Sequence, residues 1–139
     1  MKKEIKPTND KKDFGTKGEE SAASFLCGKG FEIIERNIRL GYSEIDIIAK
    51  NEKYLIFVEV KTRRTYPNIH HSFGRPATAV NLKKKLKLTE GAQKYIKMNN
   101  EVYSGLQPRI DVIEVYVSPD CEKYKVLKII HMPNAIVGG

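Results

Sequence analysis

Three carboxylates and a lysine lie in two neighbouring apolar segments, at spacings that could support catalysis. In LIFVEVKTRR, Glu59 precedes Lys61 by two residues at the end of an apolar run, and SEIDIIAK contains Glu44 and Asp46. Side chains alternate between the two faces of a strand, so Glu59 and Lys61 share one face, as do Glu44 and Asp46. Carboxylate oxygens are the ligands that hard divalent cations such as Mg²⁺ or Mn²⁺ prefer.

The connection NEK predicts a hairpin between these two segments, and its register decides which acid meets Glu59. If the turn is centred on the first two residues of NEK, Glu44 lies opposite Glu59. A register shifted by two residues brings Asp46 opposite Glu59 instead, and both registers place the three acids on one face. Close carboxylates repel one another unless a cation joins them, so we expect a metal site formed by Asp46, Glu59 and Glu44. The alternative is an ion pair between one acid and Lys61 at the rim of the sheet.

Two predicted helices flank these strands, and each contributes a charged candidate. The first, TKGEESAASFLCGKG, begins with Thr16 as its cap and Glu19 as a capping-box glutamate. Capping is sufficient to explain Glu19, although the residue also leans toward the packed side of the helix. In the second helix, Ala77 to Met98, Lys84 lies near the centre of the apolar stripe. A lysine there must extend to solvent or reach a buried partner.

The order of elements predicts the fold. Three strands with short connections follow the first helix, and the second helix is followed by two more strands, RIDVIEVYV and YKVLKIIHM. The third strand is apolar on both faces, as in a strand covered on both sides. We therefore predict an α/β fold of order αβββαββ, with a mixed β-sheet flanked by helices. Residues 14–133 would form one domain, between a flexible basic arm (1–13) and a C-terminal tail (134–139).

The charge of the chain favours a polyanionic partner. Its 139 residues include 25 Lys and Arg against 17 Asp and Glu, which gives a net charge of +8 and a pI of about 9.4. Cations that neutralise phosphates release condensed counterions, although surplus lysines also serve solubility alone. We expect the following residues to track a nucleic-acid backbone: Arg36, Arg39, Arg63, Arg64, Arg75, Lys83, Lys85 and Lys87.

Other classes of protein are disfavoured. No run approaches the roughly 18 apolar residues of a membrane span, and two cysteines are too few for a disulfide framework. We therefore expect a cytoplasmic protein with no membrane partner. Leu82 and Leu86 project opposite the main stripe of the second helix, which is compatible with a homodimer.

Several segments of the chain together resemble a known family. GTKGEESAASFL, ERNIRLGYSEIDIIA, LIFVEVKTR, FGRPATAVNLKKKLKLTEGAQKYI and RIDVIEV resemble the bacterial YraN-like family of predicted endonucleases. That family is regarded as part of the PD-(D/E)XK nuclease superfamily and is similar to archaeal Holliday-junction resolvases. Only the first dozen residues and the tail fall outside the resemblance. One departure is Ser43, where the family usually has Gly before EID.

The resemblance implies a restriction-endonuclease-like fold and a metal-dependent endonuclease. Its substrate would be the phosphodiester bonds of DNA rather than RNA, with structured or branched DNA as the expected form. It identifies Asp46 as the superfamily aspartate, Glu59 as the second acid and Lys61 as the catalytic lysine. Glu19 and Lys84 fall on family positions in the two helices, and the implied cofactor is Mg²⁺ or Mn²⁺. The alternative is a nucleic-acid-binding module that keeps the fold but cuts little or nothing.

Overall fold

The computed structural model describes residues 9–65, 82–118 and 124–135. In this part of the chain the elements follow the order helix, three strands, helix, two strands, which confirms the predicted order αβββαββ. Their bounds are α1 (Asn9–Gly28), β1 (Glu32–Leu40), β2 (Ser43–Lys50), β3 (Tyr54–Arg64), α2 (Leu82–Met98), β4 (Gln107–Val117) and β5 (Val126–Met132).

The five strands form one mixed sheet in the order β1-β2-β3-β4-β5. Strand β3 pairs in parallel with β4, and the other three pairings are antiparallel. A parallel pairing needs a long crossover, and the segment that contains α2 supplies it. The predicted mixed sheet flanked by helices is therefore confirmed, with β3 at its centre.

Each face of the sheet packs against one helix. On one face, Ala22 and Leu26 of α1 cover Val58 of β3, and all three are fully buried. On the other face, Leu88 and Tyr95 of α2 pack around Phe57, whose ring meets that of Tyr95 edge to face at 5.9 Å. The apolar residues of β3 thus alternate between two cores, as its sequence predicts.

Asn51 sets the register of the β2–β3 hairpin. Its backbone N–H donates to the carbonyl of Tyr54 at 3.0 Å, and its side-chain oxygen accepts the N–H of Tyr54 at 2.7 Å. This Asx-type turn centres on the two residues between them, one residue later than a turn on the first two residues of NEK. Pairing between β2 and β3 extends from this turn to Ile47 opposite Val58. The hairpin therefore adopts the register that is shifted by two residues.

Three element boundaries differ from those predicted. Helix α1 begins at Asn9, so the prediction that it starts at Thr16 is wrong, and residues 9–13 are helical rather than part of an arm. Strand β3 continues to Arg64, whereas the polar composition from Arg63 onward predicts a loop. Helix α2 runs without interruption through Gly91, and its predicted first residues lie outside the described part of the chain.

Two further features concern the surface of the described residues. No helix there is long and apolar enough to cross a membrane. On α2, the Leu86 side chain is exposed, as predicted for the face opposite the main stripe.

Candidate active site where strands β2 and β3 separate

Glu59 is a buried carboxylate held between two lysines. Only 3% of the residue is exposed, and its Oε2 lies 3.1 Å from the Nζ of Lys84 and 3.4 Å from the Nζ of Lys61. Lys61 follows two residues later on β3, whereas Lys84 reaches across from α2. Of the two alternatives predicted for Lys84, extension to solvent or contact with a buried partner, the structure shows the contact with a buried partner. With Glu59 ionised, these three groups carry a net charge of +1.

Asp46 directly precedes Ile47, whose pair with Val58 is the last one between β2 and β3, and continuation of this register leads from Asp46 to Glu59. Its Oδ2 accepts the backbone N–H of Val60 at 2.8 Å. Burial and the negative charge of Glu59 raise the pKa of Asp46 to about 7, and the hydrogen bond from Val60 opposes that rise. A cation beside these two carboxylates would favour the ionised form of Asp46.

The alternation of side chains along β2 breaks at Asp46, a position called the bend below. Asn37 of β1, which lies across from Asp46, has a left-handed φ of 50°. As a result, Ile45 packs on the α2 side of the sheet while Ile47 packs on the α1 side. Regular alternation along SEIDIIAK predicts that Ile45 and Ile47 share a face, and this prediction is wrong. An asparagine within an apolar strand was the available signal, because Asn adopts left-handed conformations more readily than most residues.

Glu44 does not join Glu59. Its neighbours Ser43 and Ile45 both face α2, since they lie against Gly91 of that helix. Glu44 therefore points to the other side, where its carboxylate lies 3.4 Å from Arg39. The prediction that it shares a face with Glu59 is wrong. Within the described ranges, no three His, Cys, Asp or Glu side chains are placed to hold a metal ion together.

Glu19 lies inside α1 and caps no helix, so the capping-box interpretation is wrong. Its side chain is 17% exposed, lies 3.9 Å from Arg36 and hydrogen bonds to the side chain of Asn37. The pKa of Glu19 is raised, chiefly by burial. The hydrogen bond from Asn37 and the charge of Arg36 oppose this rise, whereas the negative charges of Glu44 and Glu59 add to it. Glu19 therefore interacts electrostatically with the carboxylates of Glu44 and Glu59.

Gly18 allows α1 to approach β3 closely beside Glu19. A Cβ at position 18 would overlap the side chain of Thr62 and would lie 2.8 Å from its Cβ. Only a residue without a side chain fits this contact. The Gly-Glu pair of the first helix thus combines a close approach with a carboxylate placed over the bend.

Four of the predicted backbone-tracking residues are arginines with identified neighbours. Arg36 and Arg39 pair with Glu19 and Glu44 as described, and the guanidinium of Arg64 lies 4.3 Å from the ring centroid of Phe14. Arg63 pairs with a buried acid of β4. Each of these four arginines therefore has an acidic or aromatic neighbour.

The remaining predicted cations lie on or before α2. Lys83 and Lys87 are exposed on this helix, and Lys85 is half-buried. Arg75 lies outside the described residues. The exposed lysines flank Lys84, so the surface next to Glu59 is cationic.

Glu114 is a buried acid next to the site that sequence reasoning missed. It pairs with Lys61 in the parallel register of β3 and β4, and it is 1% exposed. Its carboxylate accepts the Nε–H of Arg63 at 3.3 Å and the hydroxyl of Tyr116 at 2.9 Å. A glutamate inside the apolar segment RIDVIEV was the signal that could have found it. Glu114 fixes Arg63 two residues beyond Lys61.

Asp111 forms a second buried polar group, on the α1 side of the sheet. It is fully buried and accepts two hydrogen bonds from Arg109, at 2.9 and 2.8 Å. The Nε2 of His131 lies 2.7 Å from its Oδ2, and the N–H of Asn134 donates at 2.9 Å. Burial alone would raise the pKa of Asp111, but the hydrogen bonds together lower it by more, so the net shift is downward. This network joins β5 and the residues after it to β4.

Comparisons with known proteins show a weak structural similarity and a strong sequence similarity. Pyrococcus furiosus SfsA, solved in complex with Ca²⁺, is 20% identical with a TM-score of 0.29, over 93% of this chain and 64% of that chain. A UPF0102 protein of Caldanaerobacter subterraneus subsp. tengcongensis is 41% identical over 126 residues, which cover 91% of this chain and 96% of that protein. A UPF0102 protein of Dictyoglomus turgidum is 37% identical over 89% of this chain and 97% of its own length. The model of the uncharacterised protein family UPF0102 matches residues 18–115. The chain therefore belongs to the uncharacterised protein family UPF0102, the YraN-like family that its motifs predict.

Proposed function

We propose that this protein is a metal-dependent endonuclease that hydrolyses phosphodiester bonds of nucleic acid, with DNA favoured over RNA. The observation that carries the proposal is the juxtaposition of Asp46 and Glu59 with Lys61 and Lys84 where β2 and β3 separate. Two acids and two cations within one small region suit a reaction that needs both a metal ion and stabilised negative charge. This constellation is also the one expected for a PD-(D/E)XK nuclease.

The donor groups fit Mg²⁺ or Mn²⁺. Asp46 and Glu59 supply carboxylate oxygens, and Mg²⁺ typically takes one or two carboxylates together with waters and phosphate oxygens. The raised pKa of Asp46 supports a cation there, because a positive charge would offset the repulsion from Glu59. When bound, such an ion polarises a phosphodiester and lowers the pKa of a bound water.

Lys61 and Lys84 place positive charge at the site in addition to that of a metal ion. Lys61 and Lys84 both reach Glu59, with side chains 29% and 42% exposed, so each ammonium is accessible from solvent. An ammonium at this point stabilises the negative charge that develops on a phosphorane-like transition state. Arg63, fixed by the buried Glu114, extends the cationic surface along the same strand by about 6–7 Å.

The test is incubation of the purified protein with linear, flap and four-way-junction DNA, and with RNA of matched sequence. Each is incubated with Mg²⁺, with Mn²⁺ or with EDTA. The proposal predicts cleavage that requires the metal and that is lost in Asp46→Ala and Lys61→Ala proteins purified in parallel. Equal cleavage by the wild type and both variants would identify a contaminating nuclease and contradict the proposal.

A binding module without cleavage is the second candidate. It is favoured by the two ion pairs of Glu59, which neutralise that carboxylate without a metal ion. Salt-dependent binding of DNA that ignores Mg²⁺, with no cleavage of any substrate, would support this candidate over the endonuclease.

A further inference from the structure

The β1–β2 hairpin extends beyond the point where β2 leaves β3. Pairing between β1 and β2 continues to Leu40 opposite Ser43, whereas pairing between β2 and β3 ends at Ile47 opposite Val58. Residues 39–44, here called the hairpin tip, therefore project past Asp46 next to the part of β3 that pairs with β4 alone. The candidate active site lies where these two parts diverge.

Tyr42, in the turn of the hairpin tip, is almost completely exposed. At 92%, its exposure exceeds that of any other large hydrophobic side chain in the described part of the chain. The preceding Gly41 has a left-handed φ of 65°, which gives the turn its tight geometry. Both faces of the aromatic ring are thus available to a planar partner.

The hairpin tip is anchored to α2. The hydroxyl of Ser43 donates to the carbonyl of Lys87 at 2.5 Å, and Ser43 is only 4% exposed. Gly91 of α2 lies against the same serine, where a Cβ would come within 2.9 Å of the serine Cβ. An exposed aromatic ring on an anchored turn is positioned in advance, which lowers the entropy cost of binding a partner.

The surroundings of Tyr42 are polar and include cations. The ammonium of Lys94 lies against Gly41, and Arg39 stands three residues before Tyr42. Tyr42 is followed by Ser43 and Glu44 rather than by apolar residues. An isolated ring among cations suits a nucleobase on a phosphate backbone, whereas a second copy of this chain would bring a further net charge of +8.

We propose that Tyr42 is a stacking platform for an unpaired base of the substrate, so that the protein selects nucleic acid with single-stranded or branched segments. This inference rests on the proposed function for its nucleic-acid partner and adds the substrate class. Tyr42 precedes Asp46 by four residues, about 13 Å along an extended strand. At the duplex rise of 3.4 Å per nucleotide this span equals about four nucleotides, and an extended single strand covers it with fewer.

A tryptophan at position 42 provides a direct reporter, because the chain contains none. Tyr42→Trp protein is titrated in EDTA with a labelled single-stranded 20-mer and with the matching duplex, following tryptophan emission and anisotropy together. Stacking predicts quenching on binding of the single strand. The matched control is Val102→Trp, at a residue 70% exposed in the connection between α2 and β4, at the opposite end of the sheet.

Affinities give the second readout. Loss of one base–aromatic stack predicts that Tyr42→Ala weakens single-strand binding roughly 5- to 150-fold, with less than about twofold change for the duplex. Tyr42→Phe should bind like the wild type, since the ring is kept. Emission of Tyr42→Trp that stays constant at saturation, or equal effects of Tyr42→Ala on both DNA forms, would overturn the inference.

The remaining outcomes separate this inference from the proposed function. If the wild type cleaves DNA but Tyr42→Ala leaves the affinity for single strands unchanged, the inference is wrong and the proposed endonuclease activity is retained. A wild type that binds no nucleic acid overturns both. If sedimentation shows a dimer that Tyr42→Ala converts to a monomer at unchanged DNA affinity, Tyr42 belongs to a self-association surface and the inference is wrong.

Discussion

Glu59 of β3 and Lys84 of α2 form a 3.1 Å ion pair across the contact between the sheet and the second helix. Lys61, on the same face of β3, lies 3.4 Å from the same carboxylate oxygen. Because the carboxylate is buried and the lysines are partly exposed, this arrangement presents cations toward solvent next to two acids.

Replacement of either lysine should slow cleavage more than it weakens binding. We expect Lys61→Met and Lys84→Met each to lower the single-turnover cleavage rate about a hundredfold, because each removes a positive charge beside the reacting phosphate. Lys97→Met, an exposed change near the end of α2, is the control. Wild-type cleavage rates in Lys84→Met protein would show that the ion pair with Glu59 is purely structural.

Asp46 should destabilise the metal-free protein at neutral and alkaline pH. Its pKa is raised from 3.8 to about 7 on folding, so the folded state binds more protons than the unfolded state between these values, and stability falls as pH rises through this window. Asp46→Asn removes this penalty, which is at most about 4 kcal/mol above pH 7. The variant should therefore be more stable than the wild type at pH 8 and closely similar at pH 4.

Urea unfolding in EDTA at the two pH values measures the difference. Added Mg²⁺ at pH 8 should then stabilise the wild type and leave Asp46→Asn unchanged, because the ion needs the carboxylate. If Asp46→Asn is less stable than the wild type at pH 8, the ionised Asp46 carboxylate stabilises the fold without a cation, and the prediction is wrong.

Gly18 and Gly15 of α1 should respond to alanine in opposite directions. At position 18 a methyl group overlaps the side chain of Thr62, so Gly18→Ala should cost about 1–3 kcal/mol of unfolding free energy. At position 15 no atom lies within 4 Å of the added Cβ, so Gly15→Ala should stabilise by roughly 0.5–1 kcal/mol. Thermal and urea unfolding of the two variants test this, and equal effects would show that α1 does not approach β3 at Thr62.

Asp111 should contribute stability that is lost in acid. Asp111→Asn leaves the half-buried Arg109 without its carboxylate, so we expect a loss of up to about 3 kcal/mol at pH 7. The pKa of Asp111 is lowered on folding, so its contribution is present above the unfolded value near 3.8 and is lost as pH falls through the folded value. The gap between variant and wild type should narrow toward pH 3.

The exposed Glu101→Gln provides the matched control for this change of charge, and its effect should stay within about 0.5 kcal/mol. Comparable losses in both variants would show that net charge, rather than the buried network, sets the acid sensitivity.

The sequence was informative where an element is regular. Strand β3 is apolar on both faces, so simple alternation correctly placed Phe57 and Glu59 on one face and Val58 on the other. The odd position of Lys84 on an apolar stripe predicted that it extends to solvent or reaches a buried partner, and the ion pair with Glu59 shows the second alternative.

Alternation failed at the irregular positions, which are the ones that build the site. The left-handed Asn37 and the bend at Asp46 reverse the facing of Ile45, and a period-two pattern cannot represent such a bend. The register likewise depended on the Asn51 turn, which decided between two alternatives left open by the apolar pattern. Glu114 was missed because its ionic partner, Arg63, comes from another strand.

The central claim is most directly tested by the single-turnover cleavage rate of wild type against Glu59→Gln on a branched DNA in Mg²⁺. Glu90→Gln, exposed on α2, serves as the control, and circular dichroism confirms that all three proteins fold. We predict metal-dependent cleavage by wild type and Glu90→Gln, with a loss of at least about a hundredfold in Glu59→Gln. Cleavage by a folded Glu59→Gln protein at the wild-type rate would contradict the assignment of this site.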